Sequence, residues 1–401
     1  MNSVHTSDES ASVAVTAIAI LTPLADSLSG LSEALNAGRV SIEDEPGADR
    51  SASCLRDFDA RKYASIRGMR VYARNTQLQI CVAQLALNEA GVIGVIEPGE
   101  FGLVSASTFS HMETLLEYDR SLVTVGALRT NPTLMPLALP SAPGALTALS
   151  FDAKAFALSL SDGGGSGLAA LGLAARLLAG GRGRACLVTA AFTACAELST
   201  SAARAGMLAS AGGFRVLDRD SRGTAFGELA VALVLETRAS ARARGKRALG
   251  FIDAEASTFA AEPSLLSHAL ARACRSALLQ TKLAPSEIAL ASLGANGLPH
   301  HDAAEAHALL EVLGDARARA LVTAPKANLG EALDASGLMQ VALALEALRT
   351  RTAPAIVGLR EPAVPGLSYL TRKSELAGTR ALVTSVAPSG SCSALMISVE
   401  S

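Results

Sequence analysis

Phe156-Ala-Leu-Ser-Leu-Ser161-Asp162-Gly-Gly164-Gly-Ser166-Gly-Leu168 is the stretch that decides how the rest of the chain is read. Its short apolar start reads as a buried strand, its glycines permit a tight turn, and the Ala/Leu/Gly run to Leu178 reads as a helix packed on several sides. A strand-to-helix turn of this kind sits at a helix N-terminus, where free amides stabilise negative charge. Such a turn commonly presents a nucleophile. Here its apex is Gly164, which has no side chain to offer.

Working outward, strand and helix patterns alternate along the whole chain. N-terminal to the turn, residues 1–11 read as a disordered lead-in, Ser12 to Leu21 as a buried strand, Ser27 to Ala37 as a helix closed by Gly38, and 41–62 as loop. Asn75 to Ala90 is an amphipathic helix with Gly91 beyond it, Phe101 to Ala106 a strand, and Ser105 to Thr108 the opening of a helix through Met112, Leu115 and Leu116. C-terminal to the turn, strands are expected at 185–190 and 229–235, and a connector at 238–247. A second series then places strands at 248–256, 288–293, 319–323, 381–387 and 393–399, with helices at 264–279, 302–313 and 335–348. This alternation predicts an α/β protein of parallel-sheet layers covered by helices, in two units, 12–240 and 248–401. Leu-Val-Thr recurs at 187, 321 and 382, which is too short to establish a repeat.

The 401 residues, 50% hydrophobic and 18% charged, suffice for a large core, and a formal net charge of -2 gives no global field for nucleic acid or anionic lipid. Cys54, Cys81, Cys186, Cys195, Cys274 and Cys392 lack CxxC spacing, so neither a zinc site nor a disulfide framework is expected, and a reducing cytoplasm is the natural compartment. No run of about 18 apolar residues suggests a membrane span.

At the turn the chain resembles the β-ketoacyl synthases of the thiolase superfamily, whose reactive cysteine lies in Ser-Thr-Ala-Cys-x-Ser-Gly-Leu. Ser161, Ser166, Gly167 and Leu168 match, and the cysteine falls on Gly164. Asn131-Pro132 and Pro143-Gly144 resemble the loop before that strand, and Phe214 to Glu228 resembles the Pro-Phe-Asp…Gly-Phe-x-x-Gly-Glu segment. The resemblance implies the duplicated thiolase fold, two βαβαβαββ halves in a five-layer αβαβα sandwich. It also implies two histidines. The first, from His-x-Thr-x-Thr-Pro…Asp…Glu, falls on Gly294 in Gly294-Ala-Asn296-Gly-Leu298-Pro299-His-His-Asp302-Ala-Ala-Glu305. The second, from Lys-x-x-x-Gly-His, falls on Glu331 in Lys326-Ala-Asn328-Leu-Gly330-Glu331. Pro388, in Ala387-Pro388-Ser-Gly390, replaces the gating phenylalanine of Gly-Phe-Gly-Gly-x-Asn.

Condensation needs a thiolate to carry the acyl chain and donors to stabilise the enolate. A chain with Gly164, Gly294 and Glu331 at those points lacks both, so the expected catalytic residues are none. This pattern resembles chain-length factors, ketosynthase-like subunits of type II polyketide or aryl-polyene biosynthesis. They pair with an active ketosynthase subunit, work with an acyl carrier protein, and shape the acyl tunnel. Arg67-Gly-Met-Arg70 and Asn131-Pro132 look closer to the aryl-polyene group. The resemblance further implies Met112, Leu115 and Leu116 as tunnel candidates, Lys326 with Glu305 as a structural ion pair, and a dimer contact along Ala153 to Leu160.

Two alternatives stand beside this reading: an acyltransferase with a rearranged site using one of the six cysteines or Ser166, and a scaffold for another pathway enzyme. Other motifs lead nowhere. His300, His301 and His307 with Asp302 and Glu305 read as a solvated helix start capped by Asp302, so no metal is expected. Gly165-x-Gly167-x-x-Ala170 matches a dinucleotide fingerprint, but no ribose-binding acid follows Thr189-Ala190, and no cofactor is expected. Leu168 breaks the GxSxG elbow, and Asp162 reads as a helix cap.

Overall fold

A computed structural model describes residues 13–109 and 111–400; the lead-in at 1–11 and the start of the first strand at Ser12 lie outside the described residues. Five strands come first: β1 (Val13–Leu21), β2 (Phe101–Ala106), β3 (Ala157–Leu160), β4 (Ala185–Phe192) and β5 (Leu229–Thr237). Five more follow: β6 (Gly250–Phe259), β7 (Leu290–Ser292), β8 (Leu321–Thr323), β9 (Arg380–Val386) and β10 (Ser391–Ser398).

The first set lies in the order β1-β5-β4-β2-β3 and the second in the order β6-β10-β9-β7-β8. In the first, β4, β2 and β3 are parallel, and β5 runs antiparallel to β1 and β4. In the second, β9, β7 and β8 are parallel, and β10 runs antiparallel to β6 and β9. The topology is thus duplicated. Each sheet is mixed, which corrects the purely parallel layers expected from the alternation: the last strand of each set inserts antiparallel, β10 by a tight hairpin from β9 and β5 after the long segment 193–228. Val13 to Val15 of β1 also pair with Gly250 to Ile252 of β6, joining the sets edge to edge.

The apolar runs of the strands are explained by burial on both faces. Along β1, Val15, Ile18 and Ile20 face one core cluster, while Ala17, Ala19 and Leu21 face another. Between the two sets run α5 (Ser166–Ala179) and α9 (Ser336–Thr350), which pack on each other. Outside the first set lie α2 (Arg74–Ala90) and α4 (Ala142–Ser150); outside the second lie α7 (Leu266–Thr281) and α8 (Pro299–Leu313). The result is the five-layer αβαβα thiolase fold.

The two central helices cross at glycine. A Cβ on Gly167 would lie 3.0 Å from Asp334 O and Leu338 N, and one on Gly337 would lie 2.8 Å from Leu168 N. Both helices open on Ser-Gly-Leu, at 166–168 and 336–338, and in each the serine hydroxyl accepts the amide four residues back, Asp162 N at 2.7 Å and Ala332 N at 2.9 Å. This repeat, overlooked in the sequence, marks the duplication more clearly than Leu-Val-Thr, whose copies at 187 and 382 occupy the equivalent strands β4 and β9 while that at 321 lies on β8.

Local expectations hold elsewhere with small shifts. Ser27 caps α1 (Leu28–Asn36) by accepting Gly30 N, and α2 ends at Gly91 with φ +65°. The helix expected from Ser105 begins later, as α3 (Met112–Val125), because 107–109 form a turn anchored to Asp334. The segment read as loop contains a short ribbon, Glu43–Asp44 against Ser51–Ser53.

Candidate functional site

The turn between β3 and α5 is fastened on every side. Gly163 has φ +57°, a left-handed conformation that side chains rarely adopt, and Gly163–Gly165 make one 3-10 turn before α5. Ser161 Oγ donates to Ser107 O at 2.7 Å, Gly163 N donates to Thr108 Oγ1 at 2.9 Å, and Ser385 Oγ donates to Gly164 O at 3.0 Å. Ser391 Oγ donates to Asp162 Oδ2 at 2.5 Å. Asp162 is therefore not the helix cap expected of it, because the 3-10 turn separates it from the first α-helical turn and its carboxylate swings to β10.

Gly164 itself is unconstrained. Its φ is not positive, and among the described residues a Cβ there would meet only Ala387 Cβ, at 4.0 Å. It opens on a cavity of 570 Å³ with Thr108 and Phe109 on one side, Pro388 and Ser389 on another, and a wall from α6 (Ala196–Arg204) that includes Leu198 and Ser201. The volume is that of a small-molecule pocket. Pro388 and Ser389 belong to a tight hairpin in which Gly390 N donates to Ala387 O at 2.9 Å and Gly390 has φ +97°. The α6 wall carried no motif in the sequence; only the fold brings it to the turn.

Gly294 and Glu331, where the resemblance expects histidines, differ from Gly164 in their surroundings. Gly294 follows β7, and its amide donates to Glu305 Oε1 at 3.0 Å. A Cβ there would lie 2.8 Å from Thr384 O and 3.0 Å from Ser385 Cα, so the backbone of β9 fills the space a larger residue needs. Glu331 is buried and fully bonded: Oε2 accepts Lys326 Nζ at 2.7 Å and Asn296 Nδ2 at 2.9 Å, and Oε1 accepts Ser336 Oγ at 2.6 Å and Leu333 N at 2.8 Å. Burial would raise its pKa, but the Lys326 charge and these hydrogen bonds outweigh it and hold the carboxyl below its usual range. An ionised carboxylate has no proton to donate to an enolate.

The ion pair of Lys326 is consequently with Glu331 and not with Glu305, a correction of the sequence reading. The reason is proximity: the short helix Lys326–Leu329 ends at Gly330, which turns the chain so that Glu331 reaches back to Lys326, whereas Glu305 Oε1 takes Gly294 N and Thr384 Oγ1. Glu305 Oε2 has no hydrogen-bond partner among the described residues, and burial, only partly offset by the Lys326 charge, pushes the carboxyl up to about 7.

Asp302 is likewise no solvated cap. It is 2% exposed and accepts Asn296 N at 2.8 Å, Leu217 N at 2.6 Å and Gly297 N, tying the loop after β7 to the segment before β5. Burial pushes it up to about 6 against these amides. His300 and His307 are exposed, and no group of three His, Cys, Asp or Glu is arranged to hold a metal among the described residues.

None of the six cysteines lines the cavity. Five are buried and Cys54 half-buried, and burial pushes Cys81 and Cys392 up to about 12. Ser166 is buried, bonded to Asp162 N and facing Thr108 Oγ1 at 3.1 Å, with no imidazole bonded to it among the described residues. Met112, Leu115 and Leu116 are half-buried on α3 and do not line this cavity. β3 is the last strand of its sheet, with Ala157 and Leu158 exposed. No helix among the described residues is long and apolar enough to cross a membrane.

Comparison with known proteins agrees with this geometry. The beta-ketoacyl synthase N-terminal domain matches residues 10–241 and the beta-ketoacyl synthase C-terminal domain matches 250–360. The chain is 26% identical over 397 residues to 3-oxoacyl-[acyl-carrier-protein] synthase 2 of Synechocystis sp., covering 94% of each. Over 185 residues it is 37% identical to the tetracenomycin polyketide synthase ketoacyl synthase beta subunit of Streptomyces glaucescens, covering 45% of this chain and 44% of the other. The structure of the ishigamide ketosynthase/chain length factor superposes with a TM-score of 0.88 at 22% identity, covering 97% of this chain and 99% of that one. With both domains matched in order around a turn, cavity and crossing helices of this form, the chain belongs to the β-ketoacyl synthase family.

Proposed function

We propose that this chain is the non-condensing subunit of a two-chain ketosynthase. It pairs with an intact ketosynthase, carries no acyl group itself, and shapes the tunnel in which the partner extends a chain delivered by an acyl carrier protein. The observation that carries this reading is selective loss. The turn at Gly164 is held by several hydrogen bonds and opens on a cavity, while the three positions that would do chemistry hold a bare glycine, a packed glycine and an ion-paired glutamate.

The exposed β3 edge supports pairing, because an apolar, unpaired strand edge invites a second sheet. Met112, Leu115 and Leu116 are the tunnel candidates on α3. The beta-subunit and chain-length-factor relatives point the same way.

The test is co-expression with an intact ketosynthase from the same genome, with mass in solution and condensation both measured. A stable heterodimer is expected, with condensation lost when this chain is omitted and no acyl adduct on it by mass spectrometry. An adduct on this chain, or full activity of the partner alone, would refute the reading.

A further inference from the structure

The connector between the two halves is a motif that the proposed role leaves unused. Residues 238–247 read Arg-Ala-Ser-Ala-Arg-Ala-Arg-Gly-Lys-Arg, five cations and no acid, in a chain whose formal net charge is -2. The segment forms a short helix, Arg238–Ala243, and turns at Gly245, φ +64°. Arg244 fastens it: Nη2 donates to Glu236 Oε1 and Nη1 to Gly91 O, both at 2.8 Å. The other four cations, Arg238, Arg242, Lys246 and Arg247, line a cavity of 170 Å³ together with Ala14, Phe251 and Glu400. Two of them are held in place. The Arg238 guanidinium carbon stacks 3.9 Å from the centre of the Phe251 ring, and Lys246 Nζ donates to Glu89 O. Glu400 is the one acid on the described lining, and Asp253 of β6 also feels the Arg238 charge.

We propose that this cavity binds a phosphate dianion, free or as the terminal group of a small phosphoester, at the seam between the halves. A water in the liquid takes about 30 Å³, so 170 Å³ holds a group of roughly five non-hydrogen atoms, the count in phosphate. Guanidinium groups present paired N–H donors that match phosphate oxygens two at a time, and a double negative charge suits several converging cations. The net charge of -2 leaves no broad field for a polyanion, so recognition is local. The walls come from β1, the connector, β6 and the segment after β10, at the place where Val13 to Val15 pair with Gly250 to Ile252. A bound anion therefore ties the halves together and stabilises the folded chain by linkage. No lining residue is shared with the cavity at Gly164, so the inference holds whether or not the chain condenses.

The test uses the full-length chain, co-purified with its partner if needed, and sodium phosphate as the probe. Calorimetry and thermal unfolding are run at constant ionic strength, with chloride making up the difference, because screening alone alters surface electrostatics. Wild type should bind one phosphate saturably, with a rise in melting temperature that chloride does not give. Arg242→Gln and Arg247→Gln, both at exposed positions, should each weaken phosphate by about tenfold through loss of a charge-assisted contact. The two together should abolish the thermal shift. Arg372→Gln, exposed and outside the cavity, should leave binding unchanged. Glycerol 3-phosphate separates the sources: binding tighter than that of inorganic phosphate marks the ligand as an ester, weaker binding marks it as the free anion, and either supports the site. No saturable binding by folded wild type, an equal shift with chloride, undiminished binding in the double variant, or an equal loss in Arg372→Gln would overturn the proposal.

Discussion

Replacing Glu331 by histidine introduces the residue that the family motif expects there, and it should destabilise this chain without giving it condensing chemistry. The carboxylate accepts four hydrogen bonds, from Lys326, Asn296, Ser336 and Leu333, all between 2.6 and 2.9 Å. The side chains of Lys326 and Glu331 are 2% and 4% exposed, so Glu331→His strands an ammonium in a dry site. Breaking a buried pair from one side costs about 3–5 kcal/mol, a large share of a typical stability of about 5–15 kcal/mol. Lys326→Met with Glu331→Leu removes both charges and should cost much less than the two single changes added, since neither member of the pair is left without the other.

Urea unfolding measures both, provided the slope is unchanged between variants. The sign of the pH dependence follows from the depressed carboxyl. Its contribution is present above the ordinary value of 4.5 and is lost as pH falls through the lower folded-state value. The reasoning fails if Glu331→His lies within about 1 kcal/mol of wild type, or if the double variant loses as much as the singles combined.

Further expectations follow from the same geometry. Gly164→Cys should fold with little change in melting temperature, since its Cβ meets only Ala387 at 4.0 Å, and intact-mass analysis should show it alkylated by iodoacetamide faster than the buried native thiols, with no condensation gained. Gly294→Ala should instead cost about 1–3 kcal/mol by overpacking against Thr384 O, read from the denaturation midpoint. Glu305, raised from 4.5 to about 7, favours its protonated form in the folded state, so wild-type stability should fall relative to Glu305→Gln as pH rises through that interval; parallel pH–stability curves would contradict this. Leu158→Asp on the exposed edge of β3 should abolish partner assembly in size-exclusion chromatography while leaving thermal unfolding of the chain intact.

The sequence by itself determined the main strands and the layered α/β class, because strands buried on both faces must be written as unbroken apolar runs, as in Val13–Leu21 and Leu229–Leu235. Through the resemblance it also pointed to Gly164, Gly294 and Glu331, because each stands inside a stretch whose neighbours match the family motif. The order and direction of the strands were not legible: pairing joins residues more than two hundred positions apart, such as Val13 with Thr237, and leaves no local pattern. Only the tertiary structure decided what each altered position means. Gly164 faces open space and Gly294 faces the β9 backbone, although both are simply glycine in the sequence. It decided too that Lys326 pairs with Glu331, that Asp302 is buried under three amides, and that Asp162 turns away from its helix to Ser391 on β10. Those outcomes depend on which group reaches which within about 3 Å, a distance that side-chain spacing along the chain does not encode.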